Sequence, residues 1–138
     1  WTLTTAGSVD PSISGNKLVF ADVDNTAEQS AYQDENDSLK NVGSIYKIEY
    51  TISDYVSGTH LIELFGASPD TASTTGNGTF TNYLVCTSTS GELYFSGRSH
   101  GGSGPYFKVS NLSIKEVQGN AGLLVNFDGT DFKTDVPR

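Results

Sequence analysis

Methionine is absent from this chain of 138 residues, cysteine occurs once, and only 17% of the residues are charged. A lone cysteine, Cys86, excludes an internal disulfide and any cysteine-based metal cluster. Positive charge is scarce. Eight basic residues face 16 acidic ones, for a formal net charge of −8. That balance lacks the basic face that nucleic-acid phosphates require, so no nucleic acid is expected as a partner. No run approaches the roughly 18 apolar residues that span a bilayer, so no membrane insertion is expected either. An apolar period of 3.6, the mark of an amphipathic helix, is also missing.

What fills the chain instead is Ser, Thr, Asn and Gly, with 15 glycines. This is the composition of short strands joined by many turns. A chain of this length fits one domain, which buries roughly two thirds of its unfolded surface without staples. The clearest signal is residues 44–53, S-I-Y-K-I-E-Y-T-I-S. Tyr46, Ile48, Tyr50 and Ile52 alternate with Lys47, Glu49, Thr51 and Ser53. A period of two puts these sets on opposite faces of a half-buried antiparallel strand.

Further strands are expected over 1–5, 12–14, 17–23, 60–66 and 79–87, and more weakly over 27–33. Gly15-Asn16 marks a two-residue hairpin turn. Residues 54–59 read as a connection turning at Gly58, and 67–78 as a small-residue loop. Residues 92–96 are expected to complete a hairpin with 79–87. Residues 106–117 form either a last strand pair or one bulged strand. Turns every 8–12 residues with no helix predict an all-β fold, a two-sheet antiparallel β-sandwich. Its core would set Tyr46, Ile48, Tyr50 and Ile52 against Phe80, Leu84 and Cys86, and against Leu93 and Phe95. The sandwich is expected over 1–117. Residues 118–138 lose the pattern and read as a C-terminal strand and exit segment leading towards another domain or subunit.

The order of these signals is I-S-G-N-K-L-V-F, Y-K-I-E-Y-T-I-S-D-Y-V-S-G-T, G-T-F-T-N-Y-L-V-C-T-S-T-S-G-E-L-Y-F-S-G and V-S-N-L-S-I-K-E-V. Together with the tryptophan that opens the chain, it resembles the carbohydrate-binding-module-like, galactose-binding-like jelly-roll domains of bacteriophage tail, fibre and other virion proteins. The resemblance covers residues 1–117. It implies a jelly-roll, a non-enzymatic role in assembly or host-surface glycan attachment, and a place on the virion surface or otherwise extracellular. It also implies homo-oligomers or other virion proteins as partners. The same domains occur in secreted bacterial proteins, which makes a carbohydrate-binding module of an enzyme or adhesin the alternative. The matching residues are turn and core positions, and they name no ligand.

Glycan binding needs aromatic platforms and planar polar groups beside them. Tyr83 and Tyr94 at polar-facing strand positions, with Glu49 and Glu63, form one candidate set. Arg98, His100 and Tyr106 form a loop-based alternative. Glu49 and Glu63 on adjacent strands would also be the pair for glycoside hydrolysis, but solvated carboxylates are the plainer reading and no catalysis is expected. For a structural Ca²⁺, which similar jelly-rolls carry, Asp22, Asp24, Asp34 and Asp37 supply hard oxygen ligands. Neither acidic run matches an EF-hand loop. Cys86 is expected to pack as a small apolar residue.

Overall fold

The computed structural model describes residues 2–5, 9–22, 24, 27–33, 41–64, 74–89 and 92–117. Among them no residue is helical. The strands are β1 (Thr2–Thr5), β2 (Ser12–Ser14), β3 (Lys17–Ala21), β4 (Gln29–Gln33), β5 (Ile45–Ser57), β6 (Thr59–Leu64), β7 (Gly78–Val85), β8 (Leu93–Arg98) and β9 (Tyr106–Glu116). They form two antiparallel sheets, a four-stranded one of order β1-β4-β8-β6 and a five-stranded one of order β2-β3-β9-β5-β7. From β3 to β9, every step from one strand to the next crosses between the sheets. That wrapping is a jelly-roll β-sandwich. The one local pairing is the β2–β3 hairpin, where Gly15 and Asn16 both take φ near 60° (57° and 60°), as a type I′ turn requires.

β5 is the longest strand and pairs with both β7 and β9. Its even-numbered residues Tyr46, Ile48, Tyr50 and Ile52 are buried, as the alternation predicts. The strand does not stop at residue 53. Asp54 takes a left-handed φ of 53°, which Asp and Asn tolerate better than other residues with a side chain. Register slips there, and the inward-facing set switches from Ile52 to Tyr55. β9 does the same at Asn111, φ 54°, where inward residues change from Phe107 and Val109 to Leu112 and Ile114. Each bulge re-aims the side chains that follow it. Residues 106–117 are therefore one bulged strand, not a pair.

The core is mostly aromatic at its centre. Tyr50 and Phe95 meet edge-on with centroids 5.1 Å apart, and Phe20 lies 6.0 Å from Phe95 and 4.8 Å from Phe107. All four rings are buried, each stabilising the fold by about 1.5–3 kcal/mol. Cys86 is buried with them, as expected of a small apolar side chain.

Two expectations are corrected. β7 does not oppose β5 across the core. It lies beside β5 in the same sheet, with Tyr46 opposite Leu84 and Tyr50 opposite Phe80. The opposing layer is Ile62, Leu93 and Phe95. Nor do residues 92–96 form a hairpin with β7. β8 lies instead in the other sheet, between β4 and β6, with its inner face and Ser96 buried and Tyr94 and Arg98 half-buried. The predicted exit segment 118–138 lies outside the described residues.

Gly58 alone joins β5 to β6, passing from one sheet to the other. Its φ is +86°, and an added Cβ would lie 2.6 Å from Pro105 Cα and 2.8 Å from the Arg98 carbonyl oxygen. Both neighbours are backbone and cannot rotate away. Gly58→Ala is expected to destabilise the fold by about 2 kcal/mol or more. Gly15→Ala shares the positive φ but meets nothing within 4 Å, and is expected to cost only about 1 kcal/mol. Urea unfolding of both variants checks the difference.

Candidate functional site

The outer face of the four-stranded sheet carries a side-chain pattern that matches across strands. On β8, Tyr94, Ser96 and Arg98 point outward. Antiparallel to them, Tyr32 and Ser30 of β4 stand opposite Tyr94 and Ser96. Glu28, just before β4, reaches Arg98. Tyrosine therefore faces tyrosine, serine faces serine and glutamate faces arginine. On the other side of β8, Glu63 of β6 stands opposite Tyr94 and Leu61 opposite Ser96.

The two tyrosine rings are parallel within 5°, with centroids 5.9 Å apart. That separation belongs to offset rather than full stacking, so each ring keeps part of its face uncovered. Both side chains are half-buried. Glu28 accepts from Arg98 Nε at 3.1 Å and from Ser96 Oγ at 2.8 Å. Arg98 Nη2 also lies 3.6 Å from Glu63 Oε1. Arg98 sits four positions along β8 from the residue opposite Glu63, about 13 Å of strand. Its side chain must therefore lie back along the strand, over Ser96 and Leu61, which are 0% and 1% exposed although on the outer face. One guanidinium is held between two carboxylates, with a pair of rings beside it. Such a surface offers ring faces to the apolar side of a sugar, and donors and acceptors to its hydroxyls.

The structure divides the residues singled out from the sequence. Tyr94, Glu63 and Arg98 are brought together here. Tyr83 and Glu49 lie on the outer face of the other sheet, where Tyr83 is 61% exposed and stands opposite Lys47. Glu49 pairs with Lys47 at 3.0 Å, and this hydrogen-bonded partner holds its carboxyl below the usual range. The hydrolytic pairing of Glu49 with Glu63 is thus corrected: the core lies between them, because β5 and β6 are consecutive in sequence but belong to different sheets. The loop set also separates. Arg98 turns to Glu28. His100 sits in a tight turn closed by its backbone bonds to Ser103, and Tyr106 opens β9 in the five-stranded sheet.

Of the acidic candidates, Asp22 is buried, within 3.5 Å of Gln29 Nε2, and Asp24 is exposed. Asp34 and Asp37 lie outside the described residues. Among the described residues no three His, Cys, Asp or Glu side chains converge as a metal site would need. A cleft of about 310 Å³ also opens beside the β2–β3 hairpin, lined by Ile13, Leu18, Phe95, Val109 and Leu112. Asn16, Lys17, Ser110 and Asn111 complete its lining, and none of the predicted site residues line it.

Sequence reasoning missed Tyr32, Glu28, Ser30 and Ser96. The signal that would have found them is E-x-S-x-Y over 28–32, the antiparallel complement of Y-x-S-x-R over 94–98. Comparison of the chain with protein-family models, with curated proteins and with solved structures returned no match.

His60, a conceivable general base, is a core residue. It is fully buried, with Nδ1 3.1 Å from the Tyr50 hydroxyl and its ring edge-on to Phe80 and Phe107. Burial pushes its pKa down from 6.5 to about 4, with the Gly76 backbone opposing part of the shift, and pushes Tyr50 up to about 12. Both are neutral near pH 7. Between 6.5 and about 4 the unfolded chain binds a proton at this position that the folded chain does not. Stability should therefore be unaffected by His60 above pH 6.5 and fall by up to about 3 kcal/mol as pH drops through that window. Denaturant unfolding at pH 7 and pH 5 checks this: His60→Phe should lose less stability between the two than the native chain.

Proposed function

We propose that this domain is a non-enzymatic glycan-attachment module whose binding face is the outer surface of the four-stranded sheet. Tyr94 and Tyr32 provide the stacking surface. Arg98, Glu63 and Glu28 orient hydroxyls around it. The observation that carries the reading is the parallel tyrosine pair set beside an arginine already held by two carboxylates. The binding groups are thereby preorganised, so little ordering entropy opposes binding. A non-enzymatic role is supported by three features. Glu49 and Glu63 are separated by the core, His60 is buried and neutral, and Glu28 and Glu63 are engaged by one guanidinium.

The resemblance to bacteriophage tail and fibre domains supplies the setting, attachment of a virion to a host-surface glycan. A carbohydrate-binding module of a secreted bacterial enzyme or adhesin would use the same face. The two settings differ in what the chain is joined to.

A glycan array carrying bacterial capsular and cell-wall polysaccharides, followed by calorimetry on the hits, tests the proposal. Tyr94→Ala and Arg98→Ala are each expected to weaken binding roughly tenfold or more, the equivalent of about 1.4 kcal/mol. Tyr83→Ala, on the other sheet, should leave the calorimetric affinity for a soluble monovalent glycan unchanged. Binding that survives Tyr94→Ala but is lost with Tyr83→Ala would move the site to the five-stranded sheet. Turnover of a bound glycan would overturn the non-enzymatic reading.

A further inference from the structure

A two-sheet sandwich has four edges, and an unguarded edge is a template for another strand. Three of them are short or capped. β1 and β2 are four and three residues long. β6 is six residues long and is bridged near its start by Thr74, which exchanges both backbone hydrogen bonds with His60. The fourth is β7, eight residues long, G-T-F-T-N-Y-L-V. Among the described residues nothing pairs with its outer edge. It carries no charge and no proline, the usual guards of an edge strand, in a chain whose net charge is −8.

We propose that β7 pairs antiparallel with β7 of a second copy of this chain, about a two-fold axis at Asn82, to make one continuous ten-stranded sheet. Strand alternation limits the register. Facing residues must lie on the same side of the sheet, so in a two-fold pair their numbers sum to an even total. Centring on Asn82 uses nearly the whole strand. Thr81 then faces Tyr83 of the other copy, and Thr79 faces Val85. All four are exposed in the single chain. An aromatic ring opposite a β-branched residue is a favourable cross-strand pair. Because β7 is uncharged, self-pairing along it sets no like charge against another.

The exposed apolar surface beside the edge supports the same partner. Val85 stands opposite Ile45, whose carbonyl accepts the Val117 N–H, so these side chains form a row across β7, β5 and the residue that follows β9. They are 46%, 43% and 40% exposed respectively, with Tyr83 in the adjacent row. This pairing has a consequence that rests on the proposed glycan reading. A two-fold perpendicular to the sheet turns both four-stranded sheets to the same side, so both Tyr32–Tyr94 faces would meet one surface and bind it bivalently.

Self-association is measured without any glycan. Sedimentation equilibrium of the full chain over rising concentration should show monomer passing to dimer. Thr81→Lys, at an exposed outer-face position, should weaken the dimer at least tenfold while leaving the thermal unfolding midpoint near that of the native chain. Val56→Lys, on an exposed part of β5, should not. Register is tested by mixing Thr81→Cys and Tyr83→Cys chains under mild oxidation. The mixture should cross-link more than either variant alone, and Cys86, being buried, does not compete. A chain that stays monomeric, a dimer indifferent to Thr81→Lys, or equal cross-linking in mixed and unmixed samples would each overturn the pairing.

Discussion

Tyr50 meets Phe95 edge-on across the gap between the sheets, and Phe20 continues the contact from Phe95 to Phe107. These rings set how closely the two layers approach and which strands must stack. Gly97 shows how tight the approach is, since a Cβ there would lie 2.8 Å from the Phe20 ring. β8 supplies both Phe95 and Gly97, so it is held at the centre of its sheet by the core. With its inner residues held in the core, Tyr94, Ser96 and Arg98 can only face outward. The candidate binding surface is in that sense a by-product of core packing: the same strand that carries Phe95 inward carries the tyrosine and arginine outward.

The two outer faces are built differently. On the four-stranded sheet, charge is concentrated into one triad, with a guanidinium laid across Ser96 and Leu61. Such an arrangement is ordered before any ligand arrives, because an arginine between two carboxylates has few alternatives of equal energy. On the five-stranded sheet the ion pairs are short and separate, Lys47 with Glu49 and Lys108 with Asp54. The rows around them end in exposed apolar side chains near an uncharged edge. On the proposed readings, the first face would take a glycan and the second the sheet of another copy.

Much of the scaffold was legible in the chain. The alternation of Tyr46, Ile48, Tyr50 and Ile52 identified the core strand, and Gly15-Asn16 identified the hairpin, because strand pleat and turn sterics are local properties. Local patterns failed where pairing is long-range. Residues 79–87 and 92–96 look like a hairpin because a tight turn separates them, yet a jelly-roll sends them to different sheets. The site was half legible for the same reason. Tyr94, Glu63 and Arg98 stood out individually, while Tyr32 and Glu28 sat in a weak strand whose partner could not be known.

By itself, then, the sequence determined the all-β class and the inward and outward faces of the strong strands. These follow from side-chain type and a period of two, which act over a few residues. Tertiary structure alone decided that Glu49 and Glu63 lie apart, that His60 is buried and neutral, and that Tyr32 stands against Tyr94. Each of those depends on which strands become neighbours, and that is settled by how the aromatic rings of two sheets fit together rather than by any neighbour in the chain.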